Sequence, residues 1–223
     1  MDVRRDFEAR PPREPLMSLA AYVRDFQWRF PVDRRDMVVE FCRTAPDFRM
    51  AVRRACASRN ALGKMHNHQS RVRESDRVIF GDEIISNARA VEDFARLEGF
   101  DSMHDYLDHI KPQGIGPVTV YDVAVRLGAY FGVEPQSLYL HAGVRQGWIS
   151  MKLALEGVAW PTRGAGSILA QIRAEARQPY IRREDWPKPL QVLTADEAED
   201  FCCTYREEIR RYRNTHGRLE EGQ

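Results

Sequence analysis

Apolar residues recur every three to four positions over most of the chain, which predicts a series of amphipathic helices. In the first of them, apolar side chains at 19, 22, 23, 26 and 30 follow Ser18, a residue that can cap a helix start. We expect helices over residues 18–30, 33–44, 47–58, 72–97 with breaks at Gly81 and Gly99, 102–110, 117–131, 134–140, 141–155, 167–177 and 194–213.

Two stretches lack this periodicity. Residues Arg59–Ser70 show no apolar periodicity, which predicts a loop, and Gln178–Leu190 contains three prolines, which favours an extended connector. Alternating strand patterns are nearly absent, because the β-like composition of Pro117–Tyr121 continues at helical spacing. The pattern therefore predicts an all-α fold.

The domain organisation follows from the same pattern. Residues 1–15 are charged and proline-rich, which is typical of a flexible arm. Residues 16–191 are expected to form one helical domain. Thr194 and Glu197 have the spacing of a capping box, so residues 192–223 are expected to add a C-terminal helix packed on that domain.

Composition narrows the class of protein. The 223 residues include 34 Lys and Arg against 33 Asp and Glu, so the net charge is only +1. No apolar run approaches the roughly 18 residues of a membrane helix, and the N-terminus has no secretory pattern. The four cysteines lack metal-site spacing, so we expect reduced thiols, no metal and a cytoplasmic protein without membrane contact.

The most specific motif is Gly114-Ile115-Gly116-Pro117 between two predicted helices. Glycines allow positive φ angles and a close approach of the backbone to an anion. Proline suits the first turn of a helix, where its missing N–H costs nothing. Free N–H groups and the helix dipole favour negative charge at that point. The motif thus predicts a phosphate-binding hairpin.

The stretch from Gly114 to Gly147 resembles the helix–hairpin–helix motif of the DNA glycosylase superfamily. That pattern has Gly-apolar-Gly, a variable pair, Thr-Ala and an apolar helix, and here it reads Gly-Ile-Gly-Pro-Val-Thr-Val followed by residues 121–131. The resemblance implies a fold with two lobes, a DNA partner, and a phosphate held by the hairpin amides. A monovalent cation at the hairpin is the one cofactor that it implies.

The catalytic half of the family pattern is not matched. A loop after the second helix carries an aspartate in that family, and Tyr139 stands at this place, although His141 matches. Val118 stands where bifunctional members have a lysine. A phenol with a pKa near 10 supplies no carboxylate chemistry at neutral pH. Tyr139, His141 and Asp122 therefore stay weak catalytic candidates, and ordinary glycosylase chemistry is not expected.

Further residues are expected to complete a nucleic-acid-binding surface. The hairpin would contribute Gly114, Ile115 and Gly116 and the Thr119 hydroxyl, and positive charge would come from Lys111, Arg126 and Arg145. The polar loop that contains Lys64, His66 and His68 is the second candidate contact. For that loop, a metal, a nucleic-acid or ligand contact, and ordinary hydrogen bonding all remain open.

Three functions are consistent with the sequence. The first is a protein that binds the nucleic-acid backbone without reading the sequence. The second is a divergent glycosylase-like enzyme that acts on a modified base or nucleotide. The third is a non-catalytic scaffold that binds a protein partner, with the acidic C-terminal helix as its surface.

Overall fold

The computed structural model describes residues 18–30, 37–65, 67–158 and 166–222. In these ranges the helices are α1 (Leu19–Arg29), α2 (Met37–Arg43), α3 (Phe48–Ala57), α4 (Glu74–Ser86), α5 (Ala88–Asp93), α6 (Phe100–Ile110), α7 (Pro117–Phe131), α8 (Ala142–Leu155), α9 (Gly166–Glu175) and α10 (Ala195–His216). Two strands, β1 (Ser137–Tyr139) and β2 (Tyr180–Arg182), pair antiparallel. The expected all-α fold is confirmed, since this ribbon is the only sheet among the described residues.

Ser18 and Thr194 cap helix starts as predicted, and Asp47 caps the start of α3. Ser18 Oγ accepts a hydrogen bond from Ala21 N at 3.2 Å, and Asp47 Oδ1 accepts one from Met50 N at 2.7 Å. Thr194 and Glu197 form the expected capping box of α10. Such caps satisfy N–H groups that have no partner within the helix.

Three local expectations are wrong. Residues 134–140 do not form a helical turn, because β1 pairs there with β2 and Leu138 is buried. Gly81 does not break a helix: it lies inside α4, where it faces α3. The expected loop 59–70 is partly ordered, with a 3₁₀ segment at Asn67–Arg71. In each case tertiary contacts override the local pattern.

One hydrophobic core joins the two ends of the described chain. It is formed by α1, α8 and α10 with β2 and the segment after it, and includes Leu19, Phe26, Trp148, Trp186, Phe201 and Tyr205. The Leu19 N–H donates to Glu220 O at 2.7 Å, and the Tyr205 hydroxyl donates to Asp25 Oδ2 at 2.7 Å. We call this the terminal core.

A second hydrophobic core is formed by α2 to α7. It includes Val52, Phe80, Ile84, Met103, Leu107, Val120 and Leu127, and Tyr139 of β1 also belongs to it. Because successive side chains of a strand point to opposite sides, Leu138 lies in the terminal core while Tyr139 lies in this one. We call this the central core, and the boundary between the two cores the seam.

The finer expectations about organisation stay predictions. Two cores do not by themselves establish a glycosylase-like pair of lobes, nor the domain limits at residues 15 and 191. The arm at 1–15 and the expected helix start at Asp33 lie outside the described residues. Within the described ranges, no helix is long and apolar enough to cross a lipid bilayer.

Two helical glycines give a test of this arrangement. A Cβ on Gly147 of α8 would lie 2.1 Å from Cys202 O of α10, whereas a Cβ on Gly81 would meet Cys56 at 3.6 Å. We expect Gly147→Ala to lower the free energy of unfolding by about 2 kcal/mol or more, because two backbones must separate. Gly81→Ala should be neutral or stabilising by up to about 1 kcal/mol, because alanine favours the helix.

Urea unfolding followed by circular dichroism measures both changes. Equal stability of the two variants would contradict the close contact between α8 and α10.

Candidate nucleic-acid interface

The hairpin between α6 and α7 has the backbone geometry that the motif predicts. Gly114 has a φ of +97°, a value that favours glycine. The Ile115 side chain is buried and anchors the turn in the central core. Gly116 is the N-cap of α7 with extended backbone, and Pro117 is the first helical residue. No acidic residue stands in the first turn of α7, so that helix end keeps its positive dipole.

Only one side of the hairpin is open. A Cβ on Gly114 would lie 2.8 Å from Asp76 Oδ2, so a carboxylate of α4 occupies that side. Arg73 Nε lies 3.0 Å from the same oxygen and offsets its charge. A Cβ on Gly116 would meet nothing within 4 Å. An anion therefore has access to the hairpin from the Gly116 side.

Three contacts place the chain from Ser58 to the first turn of α4 along α7. Ser58 Oγ accepts from Arg126 Nη1 at 2.7 Å, Gln69 Nε2 donates to Asp122 Oδ2 at 2.5 Å, and Asp76 lies against Gly114. This segment thus runs antiparallel to α7. About 15 Å separates Gly116 from Arg126 along the helix. The expected polar loop consequently runs beside α7 toward the hairpin.

Arg126 occupies an interior position. It is 1% exposed, and its Nη1 also donates to Ala55 O at 3.1 Å. Arg77 donates in the same way to Ala57 O at 3.2 Å. Both guanidinium groups thus satisfy carbonyls at the C-terminal end of α3, where the helix dipole favours cations. The charge that we expected Arg126 to supply at the surface is used inside the central core.

The segment Phe48–Arg73 contains seven arginine or lysine residues and no aspartate or glutamate. We call it the acid-free segment. Because the whole chain has a net charge of only +1, the remainder is negative. Arg54 is turned inward over the Phe41 ring, at 3.9 Å from its centroid. The other six cations are exposed: Arg49, Arg53, Arg59, Lys64, Arg71 and Arg73.

Among the described residues, Arg73 is the one exposed cation of this segment with an acidic partner, Asp76. Arg59 Nη1 donates to the carbonyl of Gly63 at 2.9 Å, and the Asn60 side chain closes the turn in which Lys64 lies. Arg59 and Lys64 thus stand in an ordered turn that follows Ser58, near the Arg126 end of α7. Arg73 stands at the other end, where its partner Asp76 lies against Gly114. The acid-free segment therefore adds positive charge along α7, and its last residue reaches the hairpin.

The remaining predicted contact residues are dispersed. Thr119 is 4% exposed, so its hydroxyl is not at the surface. Lys111 is half-buried and its ammonium contacts Asp108. Arg145 lies on α8, which belongs to the terminal core, and its Nε is buried without a hydrogen-bond partner. His66 and the His68 side chain lie outside the described residues.

The weak catalytic candidates Tyr139 and His141 lie in a buried polar cluster at the seam. The Tyr139 hydroxyl donates to Asp101 Oδ1 at 3.0 Å, and the ring centroids of His104 and Tyr139 are 4.1 Å apart. Burial and the neighbouring carboxylate raise the pKa of Tyr139, and burial lowers the pKa of His104. Both side chains are therefore neutral at pH 7, and Tyr139 is a hydrogen-bond donor rather than a base.

His141 and Asp122 are also engaged by other side chains. His141 Nε2 lies 2.8 Å from Glu199 Oε1, an ion-pair distance, but the two groups are not aligned for a hydrogen bond. Asp122 is held by Gln69 and lies 3.6 Å from Arg126 Nη2. Burial raises the pKa of the Cys203 thiol near this cluster to about 12, which excludes a reactive thiolate at neutral pH.

The seam contains one carboxylate that is poorly compensated. The Tyr121 hydroxyl donates to Asp196 Oδ1 at 2.6 Å across the two cores. Burial raises the pKa of Asp196 from 3.8 to about 6, although the hydrogen bond from Tyr121 acts in the opposite direction. Asp196 also lines a cavity of about 80 Å³ with Arg43 and Glu134. Carboxyl groups with a strongly raised pKa are common at functional sites, where a buried charge is retained although it lowers stability.

No sequence pattern pointed to the partners Asp101, Asp196 and Glu199, which reach the seam from distant parts of the chain. The absence of acidic residues from 48–73 was a readable signal, and the overall net charge conceals it. Charge counted by segment singles out this stretch of cations, but not its position along α7.

The raised pKa of Asp196 predicts a pH dependence of stability. The protonated form of Asp196 is favoured by the folded state, because the folded pKa lies above the unfolded value of 3.8. This contribution to stability is complete below pH 3.8 and is lost as the pH rises through about 6. A two-unit difference corresponds to roughly 3 kcal/mol. We expect Asp196→Asn to be more stable than the wild type at pH 7.5, by about 2 kcal/mol, and to lose that advantage near pH 4.

Thermal and urea unfolding at both pH values measures the effect. An advantage of Asp196→Asn that does not depend on pH would show that ionisation of Asp196 is not the cause.

Comparisons with models of protein families, with curated proteins and with solved structures find no match to this chain.

Proposed function

We propose that the chain binds the phosphate backbone of DNA at the open side of the α6–α7 hairpin, without reading the base sequence. The observation that supports the proposal is the course of the acid-free segment along α7 toward a turn with a positive φ at Gly114 and an N-cap at Gly116. Helix N-termini and exposed cations each favour phosphate, and the acid-free segment runs along α7 toward its N-terminus. Backbone contacts of this kind position a nucleic acid but do not distinguish bases.

The proposed surface differs from the set expected from the motif. It consists of Gly116 and the start of α7, with Arg73 and Arg71 nearest to them along the acid-free segment. Arg59 and Lys64 continue the surface toward the Arg126 end of α7. Arg126 and Thr119 support this surface from inside the central core. A monovalent cation at the hairpin, which the resemblance implies, stays part of the proposal.

A divergent enzyme that acts on a modified base is the second candidate. The observation that favours it is the buried cluster of Asp196, Tyr121, His141 and Glu199 at the seam. Release of a base from oligonucleotides with modified bases tests this candidate. Activity that persists in both Asp196→Asn and His141→Ala would place the chemistry elsewhere. The scaffold hypothesis gains no support from the exposed cations of the acid-free segment, since a protein partner does not require them.

Gly116 provides a direct test of the hairpin. Gly116→Asp places a carboxylate at the N-cap of α7 in open space, where aspartate is a favourable cap. We therefore expect a folded variant whose affinity for duplex DNA falls about tenfold or more, because the new charge repels phosphate. Gly116→Asn is the matched control, since it caps the helix without charge and should bind much more tightly than Gly116→Asp.

Fluorescence anisotropy with a labelled duplex measures these affinities, and thermal unfolding confirms that both variants fold. Equal affinity of the aspartate and asparagine variants would remove the hairpin from the binding surface.

The dependence of binding on salt tests the acid-free segment. If its six exposed cations all contact phosphates, the slope of log K against log salt concentration approaches about −5 for duplex DNA. Arg71→Ala should reduce the magnitude of this slope by about 1. Arg211→Ala, an exposed arginine of α10, should leave the slope unchanged. Binding that does not depend on salt would exclude a phosphate-contacting surface.

A further inference from the structure

We infer that Gln69 is a positioning residue for phosphate binding, because its side chain attaches the last part of the acid-free segment to the hairpin helix. This inference rests on the proposed function and adds a residue that the motif does not contain. Gln69 is fully buried, and its Nε2 donates to Asp122 Oδ2 at 2.5 Å. A hydrogen bond to an ionised acceptor is stronger than one between neutral groups.

The acceptor of this hydrogen bond is itself held in place. Asp122 Oδ2 lies 3.6 Å from Arg126 Nη2, and Arg126 is in turn fixed by Ser58 Oγ and Ala55 O. The carboxylate therefore belongs to a buried network that joins α3 to α7. Gln69 attaches a third element, the 3₁₀ segment Asn67–Arg71, to this network.

The attachment determines where two of the exposed cations stand. A 3₁₀ segment of five residues has little stability of its own, so its position depends on tertiary contacts. The carbonyl of Gln69 accepts the N–H of Val72 at 3.1 Å, which fixes the backbone turn between Arg71 and Arg73. Arg71 and Arg73 are exposed, and Arg73 reaches Asp76 beside Gly114. The side chain and the backbone of Gln69 thus contribute to one arrangement.

Gln69 is distinct from a residue that only stabilises the core. Its side chain is neutral, and Asp122 keeps Arg126 as a neighbour when the amide is removed. Its Oε1 is buried without a hydrogen-bond partner, which is unfavourable for stability. Loss of the amide should therefore release the 3₁₀ segment while α3 and α7 stay together.

Gln69→Glu tests the attachment with a reversible change. Among the described residues, the charged and titratable groups that face position 69 are Asp122 and Arg126. The carboxyl group introduced by this substitution can donate to Asp122 while it is protonated, as the glutamine does, whereas its ionised form repels Asp122. At pH 5.5 we expect Gln69→Glu to bind a labelled duplex with the affinity of the wild type. At pH 8.5 we expect its affinity to be about tenfold lower than that of the wild type at the same pH.

The salt dependence separates positioning from general stability. At pH 8.5 the magnitude of the slope for Gln69→Glu should be smaller than for the wild type by about 2, since Arg71 and Arg73 lose their places. Gln69→Leu should show this smaller slope at both pH values, and it keeps the inference testable if Gln69→Glu unfolds at high pH. Gln136→Glu adds the same charge at an exposed position and should match the wild type at both pH values.

The outcomes distinguish this inference from the proposed function. If Gly116→Asp loses binding while both Gln69 variants keep the affinity and slope of the wild type, the role of Gln69 is overturned and the proposed function stands. If the wild-type protein binds no duplex DNA at low salt, the proposed function fails and the inference fails with it. Folding of each variant is checked by circular dichroism and thermal unfolding at both pH values.

Discussion

The buried contact between Arg126 and Asp122 is the interaction on which the hairpin side of the molecule depends. An ion pair on one turn of α7 would be a costly feature of an apolar core if it were isolated. Here Arg126 also satisfies Ala55 O and Ser58 Oγ, and Asp122 also accepts from Gln69. The pair therefore converts one helix into an attachment site for the end of α3 and for the segment that follows it.

This attachment explains how a nearly neutral protein can present local positive charge. The acid-free segment carries seven cations. The network holds the second half of this segment along α7, so that it runs toward Gly116. Arg54 turns inward over Phe41, while the other six cations remain at the surface. Charge and hairpin are then neighbours, although each is weak as a binding feature by itself. Their proximity is the physical basis of the proposed phosphate contact.

At the seam, burial determines the protonation states of the polar side chains. Tyr139, which stands at the family's aspartate position, is a protonated donor to Asp101, and the carboxylate with a raised pKa is Asp196 from α10. A carboxyl group with a raised pKa thus lies near the region that the motif suggests, on a residue that the motif does not contain. This arrangement is why a modified-base enzyme stays the second candidate and why Asp196, rather than Tyr139, is its most informative residue.

The helical fold, most helix limits and the glycine turn between α6 and α7 could be predicted from the amino-acid sequence, because apolar periodicity, caps such as Ser18 and Thr194, and the glycine pattern are local properties. The sequence did not determine the strand at residues 137–139, whose partner strand at residues 180–182 is distant along the chain. Only the tertiary structure decided that Arg126 is internal, that Asp76 closes one side of Gly114, and that Gln69 meets Asp122. These outcomes depend on which distant groups share a buried space, and no local pattern encodes that.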